Sequence, residues 1–162
     1  MTIEMVPVPL ADVPWSDLET FPDRTVGQTR GWLQFLADTQ GADPVVAQVV
    51  DGASPIGWFT GAVVRRGALR QLGSPLPGWT TSAMGFNLEP GSSRTRALGA
   101  LPAFTRELGC WHVEFADRAL VDDADIPSPF TIGHLSGYQT VIDGRDDAEL
   151  IAMNDGPFKR DL

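Results

Sequence analysis

The sequence predicts an α/β (α+β) fold, one domain on a mixed, mostly antiparallel twisted sheet of about six to seven strands flanked by helices. Three observations predict it. A stretch of helical period over 27–40 is followed by two Val-rich runs, PVVAQVV (44–50) and IGWFTGAVV (56–64), joined by the short turn DGASP (51–55). A second helical stretch, ending at Gly109, leads directly into the alternating run CWHVEFA (110–116). The chain has 162 residues, which suits one core.

The elements follow in order. PVPLADVPWSDLETFPD (7–23) mixes prolines with acids and holds one short helical turn around Trp15 to Leu18. Thr25 and Gln28 form a capping box ahead of the helix at 27–40; Trp32, Leu33, Phe35 and Leu36 share a face, and Gly41 ends it. RRG (65–67) turns the chain into ALRQLG (68–73), so 44–73 reads as an antiparallel meander. SPLPGW (74–79) breaks the meander, and TTSAMGFNL (80–88) adds a strand. Ser92 or Ser93 then caps a helix through TRALGALPAFTREL, which Pro102 kinks or restarts.

In CWHVEFA, Trp111, Val113 and Phe115 fall on one face and His112 and Glu114 on the other. DRALVDDADIPSPF (117–130) is an acidic loop, HLSGYQTVID (134–143) a final strand, and DAELIAMN (147–154) the first turns of a helix. The expected division is a domain over 1–146 and, over 147–162, the start of a crossover helix toward an absent second domain. No internal repeat or low-complexity tract interrupts this order.

Composition excludes several classes. Apolar residues make up 43% of the chain and charged residues 20%, ordinary globular usage. No apolar run approaches the roughly 20 residues of a membrane helix, and MTIEMVPVPL lacks a basic start with an apolar block. The expectation is no membrane association. Cys110, the single cysteine, excludes an internal disulfide framework and a multi-cysteine zinc site, and a reducing cytoplasm fits; His112, His134, Glu114 and Asp117 have no metal-ligand spacing, so no metal is expected. Net charge is −9, and residues 111–162 alone carry 11 acidic against 4 basic side chains. An acidic surface repels phosphate backbones, which argues against nucleic-acid binding by this chain alone.

The stretch LEPGSSRTRALGAL followed by LGCWHVEF resembles the central motif of the GNAT acyltransferase superfamily: a strand, a loop of Arg/Gln-x-x-Gly-x-Gly/Ala, a helix, then a strand that opens after Gly. Arg94, Ala97 and Gly99 take the three motif positions. GQTRGWLQFL, PIGWFTGAVVRRGALRQLGSP and LSGYQTVIDGRDDAELIAMNDGPFKRDL are similar to the early Trp-bearing helix, the second and third strands, and the crossover of one branch, the FemAB-like (peptidyltransferase-type) proteins. Those resemble two GNAT domains in tandem, and this chain resembles the first.

The resemblance implies transfer of an acyl or aminoacyl group to an amine, with the donor site usually in the second half. It makes Arg94, Arg96, Ala97 and Gly99 candidate cofactor-binding residues for acyl-CoA, a co-substrate and not a tightly bound group. Phosphate cradling needs closely approachable backbone N–H groups at a helix start. Ala97 adds a methyl where the motif has glycine, and Pro102 disturbs the helix behind it. The expected outcome is a degenerate half, not active alone, that requires a second GNAT-like domain. The alternative is a non-catalytic binding or assembly module that forms a homodimer.

Glu114, and less so Glu89, is a candidate general base for the acceptor amine; the plainer alternative is an exposed strand carboxylate. His112 shares its face and either polarises it across a groove or is simply solvated. Tyr138 falls near where many GNAT relatives place an acid for the leaving thiolate, and is otherwise a strand aromatic. Trp79, in a turn, lines a substrate pocket or an interface, whereas Trp32, Trp58 and Trp111 are expected in the core. Cys110 beside His112 lacks an oxyanion donor and an orienting group, and reads as a small buried hydrophobe.

Overall fold

The computed structural model describes residues 2–79, 81–120, 126–133 and 149. The chain divides into two units, Met1–Ile132 and Gly133–Leu162, and the fold below is that of the first. Strand β1 (Ile3–Pro7) and the single turn α1 (Trp15–Leu18) lead to helix α2 (Arg30–Gln40). Strands β2 (Asp43–Asp51), β3 (Ser54–Arg66), β4 (Leu69–Ser74) and β5 (Gly85–Leu88) precede helix α3 (Arg94–Glu107) and strand β6 (His112–Phe115). The result is an α+β unit on a six-stranded, mostly antiparallel sheet.

The expected meander is present, with one addition. β2 lies along one edge of β3 from Asp43↔Val63 to Asp51↔Ser54, and β1 extends the sheet beyond β2. β1 was not expected, because a five-residue edge strand closed by Pro7 shows too short an alternation to stand out. The other edge of β3 is shared between two strands: β4 pairs with Ala62–Arg66 and β5 with Gly57–Thr60. Ser74 stitches the junction, since its Oγ donates to the Thr60 carbonyl (2.5 Å) and accepts from the Gly85 N–H (2.8 Å). The strand expected over 80–88 is thus only its last four residues.

β6 runs parallel to β4, from Gln71↔His112 to Ser74↔Phe115, the one parallel pair among the described residues. Backbone pairing continues one residue further: the Ala116 N–H donates to the Ser74 carbonyl (2.9 Å), and the Met84 N–H to the Ala116 carbonyl (3.1 Å). A turn follows, in which the Leu120 N–H donates to the Asp117 carbonyl (3.3 Å).

Both faces of the sheet are covered, as the unbroken burial of Gly57–Val63 requires. On one face Phe59, Val63, Leu72, Phe86 and Leu88 pack against Ala97, Leu98, Leu101 and Phe104 of α3. Phe59 sits 5.2 Å from Phe86 and 6.1 Å from Phe104, ring centre to ring centre. On the other face Val46, Trp58 and Ala62 meet Leu18 of α1 and Leu33 and Leu36 of α2.

Three expectations are corrected. The capping box of Thr25 and Gln28 forms, but it opens a 3-10 turn (Val26–Gln28); the α-helix starts at Arg30, where Thr29 Oγ1 accepts from the Trp32 N–H. Pro102 does not divide α3, because buried Leu98, Leu101 and Phe104 hold both sides of it to the sheet. Trp111 is 62% exposed: its N–H continues the pairing with β4 by donating to the Arg70 carbonyl (3.0 Å), but its ring stays outside the core and lies 5.1 Å from the His112 ring. The strand expected at 134–143, with Tyr138, and the boundary at 146 lie outside the described residues. Among the described residues no helix is long and apolar enough to cross a membrane.

Candidate functional site

The loop before α3 sets the site. The Ser92 N–H donates to the Glu89 carbonyl (3.0 Å), Gly91 takes φ +86°, and Ser93 Oγ accepts from the Arg96 N–H, so α3 begins at Arg94. Its guanidinium turns back over the outer edge of β5. Nη1 donates to the Phe86 carbonyl (3.1 Å) and to Asp117 Oδ2 (2.7 Å), while Nη2 donates to Asp23 Oδ2. Asp117 also accepts from the N–H groups of Ala119 and Phe86. Arg94 and Asp117 together therefore satisfy both backbone groups of Phe86 that a further strand would take, and side chains substitute for a ladder on that edge of β5.

The cluster is graded in exposure. The Asp117 side chain is 4% exposed, Arg94 17% and Asp23 29%, so Asp23 lies on the solvent side. Burial pushes the Asp117 carboxyl up from its ordinary value, against the downward pull of the Ala119 N–H, Arg94 and the Phe86 N–H. Behind Asp23, the buried Asn87 donates through Nδ2 to Asp23 Oδ1 (3.0 Å) and to Gln28 Oε1 (3.3 Å). Gln28 Oε1 in turn accepts from the Thr25 N–H (2.7 Å). Asn87 Oδ1 has no hydrogen-bond partner among the described residues, an arrangement that costs about 1–3 kcal/mol.

The residues expected to bind acyl-CoA are differently employed. Ala97 is fully buried, with its methyl in the core under α3. A Cβ built on Gly99 meets nothing within 4 Å, so no close approach there requires a glycine. Arg96 forms a two-bond pair with Asp51 (2.6 and 2.9 Å), tying the β2–β3 turn to α3 and holding the Asp51 carboxyl below its ordinary value. Both candidate arginines, Arg94 and Arg96, are engaged by carboxylates of the chain itself.

Glu114 and His112 lie together on β6, 3.9 Å apart and each 44% exposed. They stand in register with Gly73 and Gln71 of β4, and no hydrogen bond or ion pair joins them to Arg94 among the described residues. Trp79 is half-buried, packs against the α2-side core, and donates its N–H to the Leu76 carbonyl (3.2 Å). Tyr138 lies outside the described residues. Cys110 is buried and its thiol is pushed up by burial, opposed by Arg70, which is the reverse of an activated thiolate. No group of three or more His, Cys, Asp or Glu among the described residues is placed to hold a metal ion.

Asp23, Asn87 and Asp117 were missed in the sequence. Their contacts with Arg94 and with one another join residues 23 to 71 positions apart, and no local spacing announces such a set. In the sequence Asn87 reads only as a residue of the expected strand 80–88, Asp117 as one acid of an acidic loop, and Gln28 as a capping residue. No family model, curated protein or solved structure matches the chain.

Proposed function

We propose that this unit is the framework of a GNAT-like N-acyltransferase domain, of the kind that forms the first half of a FemAB-like protein, with its acyl-CoA site closed and without activity alone. One observation carries the reading. β5, the capped loop, α3 and β6 follow one another in the chain, and β6 lies parallel to β4, with backbone pairing carried on to Ala116. A strand, loop, helix and opening strand is the order that LEPGSSRTRALGAL and LGCWHVEF imply.

The closure follows from the side chains. A phosphate-bearing donor needs accessible N–H groups and positive charge at a helix start. Here Arg94 and Arg96 are neutralised by Asp23, Asp117 and Asp51, and two carboxylates beside Arg94 oppose an incoming anion. Chemistry in an assembled protein would be attack of an amine nitrogen on a thioester carbonyl. The amine proton would pass to Glu114, and the C–S bond would break with protonation of the thiolate by Tyr138. Both roles belong to this proposal, as does a cytoplasmic setting.

The test restores what the motif lost. Calorimetry of the wild-type chain with coenzyme A and acetyl-CoA is expected to give no saturable heat. The double variant Ala97→Gly, Asp23→Asn is expected to bind coenzyme A with a dissociation constant below about 1 mM, the scale of a few phosphate contacts. Micromolar binding by the wild type contradicts the closure, and a folded double variant that binds nothing contradicts the relation to an acyl-CoA site.

A further inference from the structure

Asp23 is held in a manner that describes a binding site more than a surface ion pair. Its two oxygens are addressed separately: Oδ2 by Arg94 Nη2 and Oδ1 by Asn87 Nδ2 at 3.0 Å. Neither donor is free to swing. Arg94 is fixed on its other nitrogen by the Phe86 carbonyl and by Asp117, and Asn87, itself fully buried, is fixed by Gln28 Oε1. Asn87 turns both of its N–H groups to oxygens and leaves its own Oδ1 without a partner among the described residues. The amide orientation is therefore set by the need for a donor at this spot.

We propose that Arg94 and Asn87 form a carboxylate-binding cradle on the outer edge of β5, and that Asp23, delivered by the segment before the 3-10 turn, is its occupant in cis. The cradle is preorganised before Asp23 arrives: β5 supplies Asn87, the first residue of α3 supplies Arg94, and Asp117 carries the second charge that keeps Arg94 in place. Asp23 is the most exposed member of the set, so it is the one an outside carboxylate replaces. The ligand class is a small planar carboxylate, free or at a peptide terminus. In the wild type such a ligand competes with a tethered group whose effective concentration is in the millimolar range or above, so weak carboxylates leave the wild type unaffected. This inference does not rest on the acyl-transfer reading, because it concerns a carboxylate and involves no coenzyme A.

The test is chemical rescue in the full 162-residue chain. Asp23→Ala is expected to lower the thermal midpoint, and sodium formate is expected to raise it again with half-saturation on the order of 1–10 mM, the affinity open to a three-atom ligand. Sodium chloride at equal ionic strength should not do so, and the wild type should respond equally to both salts. Adding Asn87→Ala to Asp23→Ala should abolish the difference between formate and chloride. If Asp23→Ala alone does not fold, refolding from denaturant in formate against chloride gives the same comparison, with recovery expected only in formate. Equal effects of the two salts on Asp23→Ala, in either assay, would overturn the cradle.

Discussion

Arg94 pairs with two carboxylates and donates to a backbone carbonyl, and the two acids it holds are not equivalent. Asp117 is almost fully buried, and burial outweighs its hydrogen bonds, so its carboxyl titrates above the ordinary range. A raised folded value means that the fold favours the protonated form: the contribution of Asp117 to stability grows as pH falls through that value and is unfavourable at neutral pH. Asp51 works in the opposite sense. Arg96 depresses its carboxyl, so its contribution is present above the ordinary value and is lost as pH falls through the depressed one. Chemical denaturation across pH should therefore show Asp117→Asn losing stability more steeply than the wild type as pH is lowered from neutral. Parallel curves would mean that Asp117 has no raised value. At this scale the sequence was least legible: Arg94 was marked by its motif position, whereas Asp23, Asn87 and Asp117 acquire their roles only from contacts made across the sheet.

Among the elements, β3 decides most, because one 13-residue strand carries β2 on one edge and both β4 and β5 on the other. The crossing is tight at Gly57, which has φ +150°. A Cβ there would overlap the Asn87 carbonyl oxygen and lie 2.8 Å from Leu88 Cα, so β5 could not keep its register. Gly57→Ala is expected to lower stability by about 2 kcal/mol or more, from strain at positive φ and displacement of β5 together. An unchanged urea midpoint would show that β5 is not held this closely. Elements with a strong period were legible: the Val-rich pair, the helix face of Leu33 and Leu36, and the Ser93 cap all rest on local chemistry. Those that depend on tertiary support were not. β1 is an edge strand with little pattern, Pro102 stays inside α3 because both flanks are packed, and Trp111 pairs with β4 through its backbone while its ring stays outside the core.

For the whole molecule, the sheet covered on both faces follows from the two apolar periods of β3 and from the apolar stripes of α2 and α3. The fold class was open to the sequence for that reason. At the start of α3 the two arginines Arg94 and Arg96 are occupied by the chain's own acids, Asp23, Asp117 and Asp51. The most direct measurement is the nitrogen-15 spectrum of the Arg94 guanidinium at neutral pH, with and without acetyl-CoA. A guanidinium bound to Asp23, Asp117 and the Phe86 carbonyl should show separate, slowly exchanging Nη–H signals that do not move when acetyl-CoA is added. A single averaged signal, or one that shifts saturably with acetyl-CoA, would contradict the account.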